Sequence, residues 1–170
     1  MTKAFDLTRN ARMAAMVGAL LVTACGGAEP ADDASAEPVP EPEPTLGADA
    51  LVGSWNLVVI DMEDGEDFEP ADDAVPSLNF TAEANPTGSR IFNGTGGCNR
   101  MTGGYDAGST GRITFSAGAA MTMMACPDPI MRIESIFAMG LEAARTYAVE
   151  ENTLSIDFGG GVLVFERVTG

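Results

Sequence analysis

Between residues 54 and 168 the chain contains nine short segments in which apolar and polar residues alternate. In the first of these segments Trp55, Leu57 and Val59 fall on one face, because successive side chains of a strand point to opposite sides. The segments are residues 54–61, 77–81, 90–93, 101–106, 112–116, 119–124, 147–150, 153–158 and 162–168. Turn-forming residues at 151–152 and 159–161 predict that the last three strands form an antiparallel meander.

One segment departs from this alternation and predicts a helix. Asp128 is the predicted cap and Pro129 the first helical residue. Gly140 weakens the helix by about 1 kcal/mol relative to alanine, so the helix should depend on docking. The residues at helical spacing on one face are Ile130, Ile133, Phe137, Leu141 and Ala144. The predicted fold is therefore mainly β, a small antiparallel barrel-like β domain with one covering α-helix.

Residues 1–24 have the charge and length of an export signal. Lys3, Arg9 and Arg12 precede an almost purely apolar run at residues 13–24. A run this short matches a secretory signal and falls below the roughly 20 residues that a membrane-spanning helix needs. We therefore expect this segment to be removed after export.

The residues at 22–25, Val-Thr-Ala-Cys, match the site at which a bacterial lipoprotein precursor is cut and lipidated. We expect the mature protein to begin at Cys25 and to attach to the membrane through lipid on that residue. The alternatives are an ordinary signal cut near Ala24, which would leave Cys25 free, and an uncleaved anchor. Gly26 lacks the inner-membrane retention signal that aspartate would give there. It therefore favours the outer membrane, with the protein facing the periplasm.

Residues 25–46 form a segment rich in alanine, proline and glutamate. Such a composition cannot bury enough apolar surface to offset the entropy of ordering, so we predict a disordered tether. Its reach runs from about 25 Å as a flexible coil to about 65 Å as polyproline II. The folded domain is then predicted to span residues 47–170.

The charge of the chain is strongly acidic, with 9 basic and 25 acidic residues. Removing residues 1–24 takes away three basic residues and one acidic residue, which gives 6 against 24 and a net charge of −18. This charge repels nucleic-acid phosphates and anionic lipid headgroups, so nucleic-acid binding is not expected. We expect a single-domain monomer without a cofactor.

Several motifs in the predicted domain resemble those of the META domain family, the family of the HslJ-type heat-inducible bacterial lipoproteins. The motifs are Leu51, Gly53 and Trp55, residues 76–80, residues 97–101 with Gly103 and Tyr105, residues 122–126, and residues 163–167. The resemblance implies a small antiparallel barrel-like β domain with one helix, found in envelope proteins linked to stress tolerance or virulence. It implies no enzyme activity.

Cys98 and Cys126 are the cysteines that remain once Cys25 carries lipid. In an oxidising compartment we expect them to form a disulfide. The alternatives are two buried reduced thiols, or a redox-active thiol activated by nearby Arg100.

Three methionines close to Cys126 raise the question of a metal. Met121, Met123 and Met124 offer soft sulfur ligands of the kind that Cu(I) prefers. Methionine more often fills gaps in a core, however, and strand alternation would turn Met124 away from the other two. A disulfide would also remove Cys126 as a ligand. We therefore predict core packing and no metal site.

Residues 61–73 carry eight acidic residues in thirteen positions, which suggests calcium. Read as an EF-hand loop, the segment has its glycine one place early and lacks the final glutamate. We predict a solvated acidic loop, with weak divalent binding as the alternative.

Catalysis is not expected from this composition. The chain has no histidine, and the part after residue 24 has no lysine, so serine or cysteine nucleophiles lack their usual bases. We expect a lipid-anchored, noncatalytic envelope protein that binds or supports another envelope component, with an envelope protein as partner. The alternative is a small-ligand binder that uses the barrel interior or mouth.

Overall fold

The strands of the domain form one antiparallel sheet in a computed structural model that describes residues 44–117 and 119–169. The strands are β1 (Gly53–Met62), β2 (Asp67–Phe68), β3 (Ser77–Ala84), β4 (Arg90–Thr95), β5 (Arg100–Ala107), β6 (Ile113–Phe115), β7 (Ala120–Met121), β8 (Thr146–Glu150), β9 (Thr153–Asp157) and β10 (Gly161–Arg167). Their order is β6-β5-β4-β3-β1-β10-β9-β8, with β2 beside β1 and β7 beside β5. The predicted mainly β fold and the final meander are confirmed.

The sheet curls until its two outer strands, β6 and β8, approach each other. Arg112 and Thr146 form an isolated antiparallel bridge between the two edges. Next to this bridge the backbone N–H of Tyr147 donates to the carbonyl of Gly111 over 2.7 Å. These bonds satisfy backbone groups that an open sheet edge would expose, so the sheet forms a nearly closed barrel as predicted.

Within residues 44–117 and 119–169, two helices accompany the sheet: a single turn, α1 (Ala48–Leu51), and the longer α2 (Asp128–Glu142). Helix α2 packs on β6 and β10. The rings of Phe137 and Phe165 lie 6.1 Å apart in an edge-on arrangement. A side chain on Gly140 would lie 3.2 Å from Leu163, so this glycine lets the helix approach the sheet closely. No helix in the described residues has the length and apolar character to cross a membrane.

The start of α2 differs from the prediction by one residue. Asp128 makes no capping hydrogen bond through its side chain and is itself the first helical residue. The carbonyl of Pro127 accepts the N–H of Ile130 over 3.0 Å, so Pro127 is the residue that precedes the first turn. Pro129 consequently occupies the second helical position, where its missing N–H costs no helical hydrogen bond.

The face assignment of β1 is correct for Trp55 and Leu57 but wrong for Val59. The pairing of β1 with β10 shifts between Leu57 and Val59, as in a β-bulge. The extra residue moves Ile60 into the core, where it is fully buried, and leaves Val59 only partly buried. Alternation alone cannot show this shift.

The interior of the barrel is filled by large side chains. Phe80 and Tyr105 pack edge-on with ring centroids 4.8 Å apart. Trp55 is fully buried, its indole N–H donates to the carbonyl of Leu51 over 2.7 Å, and the Arg167 guanidinium lies 4.0 Å from its ring centroid. Other large and fully buried side chains of the core include Phe92, Phe137, Phe165, Leu51, Ile60, Leu78, Ile113, Leu154 and Ile156.

The described residues begin slightly before the predicted domain boundary at residue 47. The N–H of Thr45, a residue of the predicted tether, donates to the carbonyl of Val149 on β8 over 2.8 Å. The predicted signal at residues 1–24, the lipid site at Cys25 and the tether up to residue 43 lie outside the described residues.

The two predicted turns of the meander are present. Gly159 has a φ of 79°, a conformation that glycine adopts without strain. In the other turn the positive φ falls on Glu151, at 51°, and not on the asparagine that follows.

Candidate functional site

Cys98 and Cys126 form a disulfide, as predicted. The bond joins the loop between β4 and β5 to the segment that precedes α2. The two cysteines are 28 residues apart in sequence, so the bond closes a loop that contains β5, β6 and β7. It fixes one end of the segment that carries the clustered methionines.

A buried glutamate on α2 holds the same loop. Glu134 is 4% exposed, and its carboxylate accepts three hydrogen bonds. They come from the backbone N–H of Cys98 (3.3 Å), the backbone N–H of Asn99 (2.6 Å) and the amide of the Asn99 side chain (2.6 Å). Gly96 leaves room for this carboxylate, since a Cβ there would lie 2.5 Å from the Cγ of Glu134.

Asn99 connects this carboxylate to the methionine segment. Its side-chain oxygen accepts the N–H of Met124 over 2.6 Å and the hydroxyl of Thr122 over 2.9 Å. Its side-chain nitrogen also donates to the carbonyl of Met124 over 3.2 Å. The amide of Asn99 therefore bonds Met124 much as a neighbouring strand would. Strand β7 ends at Met121 and not at residue 124 as predicted. Beyond Met121 the backbone of Met124 is hydrogen-bonded by the side chain of Asn99 and not by a neighbouring strand.

The sequence interpretation missed Glu134 and assigned no role to the side chain of Asn99. A signal for Glu134 was present, because it lies four residues after Ile130 and three before Phe137, on the apolar face of the predicted helix. An acid on that face requires hydrogen-bond donors from another part of the chain. Which part supplies them depends on the fold.

An open groove of about 520 Å³ runs between α2 and the segment at 121–125, and we call it the methionine groove. Its methionines are Met121, Met123, Met124, Met131 and Met139, half of the ten in the chain. Met123 is 98% exposed and Met139 is 60% exposed. The predicted core packing of Met121, Met123 and Met124 is therefore wrong. The hydrogen bonds of Asn99 and the disulfide hold their segment on the surface.

A small apolar pocket of about 60 Å³ lies next to the methionine groove, between the barrel and α2. Phe92, Met101, Phe115 and Leu141 contribute to its walls, and Met121 borders both the pocket and the groove. The groove thus continues into an apolar recess at the mouth of the barrel.

The acidic segment at residues 61–73 is largely exposed, but its strand β2 pairs with β1, and two of its side chains contact Arg132 of α2. Glu66 forms an ion pair with Arg132 over 3.2 Å, and the Arg132 guanidinium lies 4.9 Å from the ring centroid of Phe68. Among residues 44–117 and 119–169, no three acidic or cysteine side chains gather where they could hold a metal ion.

Two groups with shifted ionisation do not line the methionine groove. The hydrogen bond from Arg90 to Asp49, 2.7 Å long, raises the pKa of the Arg90 guanidinium. Burial raises the pKa of the Tyr105 phenol, whose hydroxyl donates to the carbonyl of Thr81 over 3.2 Å. Both shifts favour the protonated form, so neither group offers an acid or base near neutral pH.

Comparison with known proteins agrees with this architecture. An NMR structure of a protein from Burkholderia xenovorans is similar, with a TM-score of 0.62 and 27% identity, over 84% of this chain and 100% of that one. A second NMR structure, at 21% identity and a TM-score of 0.52, shares the fold over 72% of this chain and 95% of the other. A search of curated proteins finds no match. The family model of the META domain matches residues 49–169, and the chain belongs to the META domain family.

Proposed function

We propose that this protein is a lipid-anchored, noncatalytic module of the bacterial envelope, and that it binds an envelope protein through the methionine groove. The observation that carries the proposal is the exposure of the groove's methionines on a segment fixed by the disulfide and by Asn99. The anchor would be lipid on Cys25, at the outer membrane and facing the periplasm. A role in stress tolerance is part of the same proposal.

Exposed methionines are suited to binding protein surfaces. Their side chains are apolar, flexible and polarizable, so they adapt to the shape of a partner. Large apolar side chains that cluster on the surface of a soluble domain commonly mark an interaction site, since water solvates them poorly. Here Met123, Met124 and Met139 are all more than half exposed and border one groove.

The backbone beneath these methionines is already ordered. The carbonyl and N–H of Met124 both bond Asn99, and Asn99 bonds the buried Glu134. A partner would therefore order only the methionine side chains, which reduces the entropic cost of association.

Composition supports the noncatalytic part of the proposal. The chain contains no histidine. The buried carboxylate of Glu134 already accepts three N–H hydrogen bonds from the loop that it holds.

A second candidate function is the binding of a small ligand at the barrel mouth. The recess beside Phe92 and Phe115 supports it, although about 60 Å³ is small compared with the roughly 300 Å³ or more of typical ligand pockets. The barrel interior is filled by side chains, so the recess would admit a small apolar group only.

Site-specific photo-crosslinking in the native envelope tests the main proposal. A photoreactive residue at Met123 should give one discrete crosslinked product with an envelope protein. The matched control replaces Val58, which is also exposed but lies on β1 outside the groove. Equal products from both positions, or none from Met123, would contradict binding through the groove.

A further inference from the structure

We propose that the methionine groove also binds a soft monovalent metal ion, Cu(I), through thioether sulfur atoms. This inference goes beyond the proposed function, because it requires no partner protein. It concerns the same surface, but the two proposals can fail separately.

The first argument is the concentration of sulfur. Five of the twelve residues that line the groove are methionines. Two sides contribute them: Met123 and Met124 lie on the segment before α2, and Met131 and Met139 lie on α2 itself. A packing role explains Met101, which is 6% exposed, but it does not explain Met123 at 98%.

The second argument is the chemistry of the donors. Thioethers are soft, neutral ligands that prefer Cu(I) and Ag(I) over hard cations. Cys126 is not available as a thiolate because it is bonded to Cys98. Zn²⁺ sites in proteins use thiolate, imidazole or carboxylate ligands, so a groove whose free sulfur atoms are all thioethers selects against zinc.

The carboxylates in the groove do not make a competing hard-metal site. Glu134 accepts three N–H hydrogen bonds and is buried. Glu142 is exposed and contributes a single carboxylate, whereas Ca²⁺ takes six to eight oxygen ligands. The selectivity of the groove therefore rests on its sulfur atoms.

The backbone that carries two of the methionine ligands is held in place in advance. Asn99 bonds the N–H and the carbonyl of Met124, so the backbone that carries the two exposed loop methionines is fixed before an ion arrives. The methionine side chains remain free to turn toward the ion, since Met123 and Met124 project into solvent. Binding should therefore shift methionine methyl groups without changing the barrel.

Anaerobic titration of the exported, full-length protein with Cu(I), against a competing chromogenic chelator, tests this inference. We expect one Cu(I) per chain. Replacing Met123 and Met124 with leucine keeps their apolar volume but removes both sulfur atoms, and should weaken binding by about tenfold or more. The Met62→Leu variant, altered at a methionine that does not line the groove, should bind as the parent does.

A spectroscopic readout makes the assignment independent of the chelator. In NMR spectra of protein labelled with methyl-¹³C methionine, Ag(I) should shift the methyl signals of the groove methionines. The signal of Met62, which does not line the groove, should stay unchanged. Thermal unfolding of the leucine variants verifies that they fold. Failure to take Cu(I) from the chelator, or equal affinity in the Met123→Leu, Met124→Leu double variant, would overturn the proposal. Photo-crosslinking from Met123 would be unaffected by that result.

Discussion

The side chains of Asn99 and Glu134 meet in a buried hydrogen bond of 2.6 Å that joins the loop after β4 to helix α2. Both residues are less than 5% exposed. Asn99 uses the rest of its amide on the backbone of Met124. A short chain of hydrogen bonds thus runs from the helix, through the loop, to the exposed methionines. The shape of the groove therefore depends on two polar residues that are almost fully buried.

This relationship predicts a specific cost for neutralising the glutamate. Glu134→Gln places an amide donor among three N–H donors, so at least one buried donor loses its acceptor, and unfolding should become easier by about 1–3 kcal/mol. Urea denaturation followed by the fluorescence of Trp55, the single tryptophan, measures this. The exposed Glu142→Gln on the same helix is the control and should change stability by less than about 0.5 kcal/mol. Equal stability of both variants would argue against the network.

Removing the disulfide should lower the free energy of unfolding by more than Glu134→Gln does. For a separation of 28 residues, the chain-entropy model gives a loss of about 3–4 kcal/mol when both Cys98 and Cys126 become alanine. Urea denaturation of the exported protein under non-reducing conditions measures the loss. The Cys25→Ala variant is the control, because that cysteine lies outside the described domain. A double variant as stable as the parent would contradict a stabilising disulfide.

The bulge in β1 predicts an asymmetry between close neighbours. Ile60→Ala removes a fully buried side chain and should cost about 2–5 kcal/mol. Val58→Ala, at a position 47% exposed, should change stability by less than about 0.5 kcal/mol. Thermal or urea unfolding of the two variants compares them. A larger loss for Val58→Ala would mean that the register after Leu57 is different.

Local sequence patterns predicted much of the barrel, because each strand carries its own alternation and each turn its own glycine or asparagine. The patterns failed where a residue far away in sequence determines which side chain is buried. The bulge that buries Ile60 arises from pairing with β10, more than a hundred residues later. Alternation within residues 54–61 cannot encode an extra residue on one strand of a pair.

The candidate site shows the same division. The pairing of Cys98 with Cys126 could be predicted because two cysteines remain once Cys25 carries lipid, and the expected compartment is oxidising. The exposure of Met123 and Met124 could not, because residues 119–124 alternate like a strand. That strand ends at Met121 because the backbone N–H of Met124 donates to the side chain of Asn99 and not to a neighbouring strand. This competition between a side chain and a strand appears only when both segments are placed.

The lipid anchor makes a prediction about location. Cys25→Ala removes the proposed acylation site, so the protein should move from the membrane fraction to the soluble fraction of the periplasm. Cell fractionation with immunoblotting measures the distribution. The double variant of Cys98 and Cys126 keeps the anchor and should stay with the membrane. Membrane retention of Cys25→Ala protein from which residues 1–24 have been removed would contradict lipid anchoring at this residue.

The most direct test of the methionine groove as a binding surface is the rate at which its methionines oxidise in place. Brief exposure to dilute hydrogen peroxide, followed by peptide mass spectrometry, gives the rate for each methionine. In the purified protein Met123 should oxidise fast and buried Met101 slowly, as their exposures of 98% and 6% require. In the intact envelope Met123 and Met124 should oxidise several-fold more slowly, because the groove is covered. Equal rates for these two residues in the purified protein and in the envelope would contradict the account.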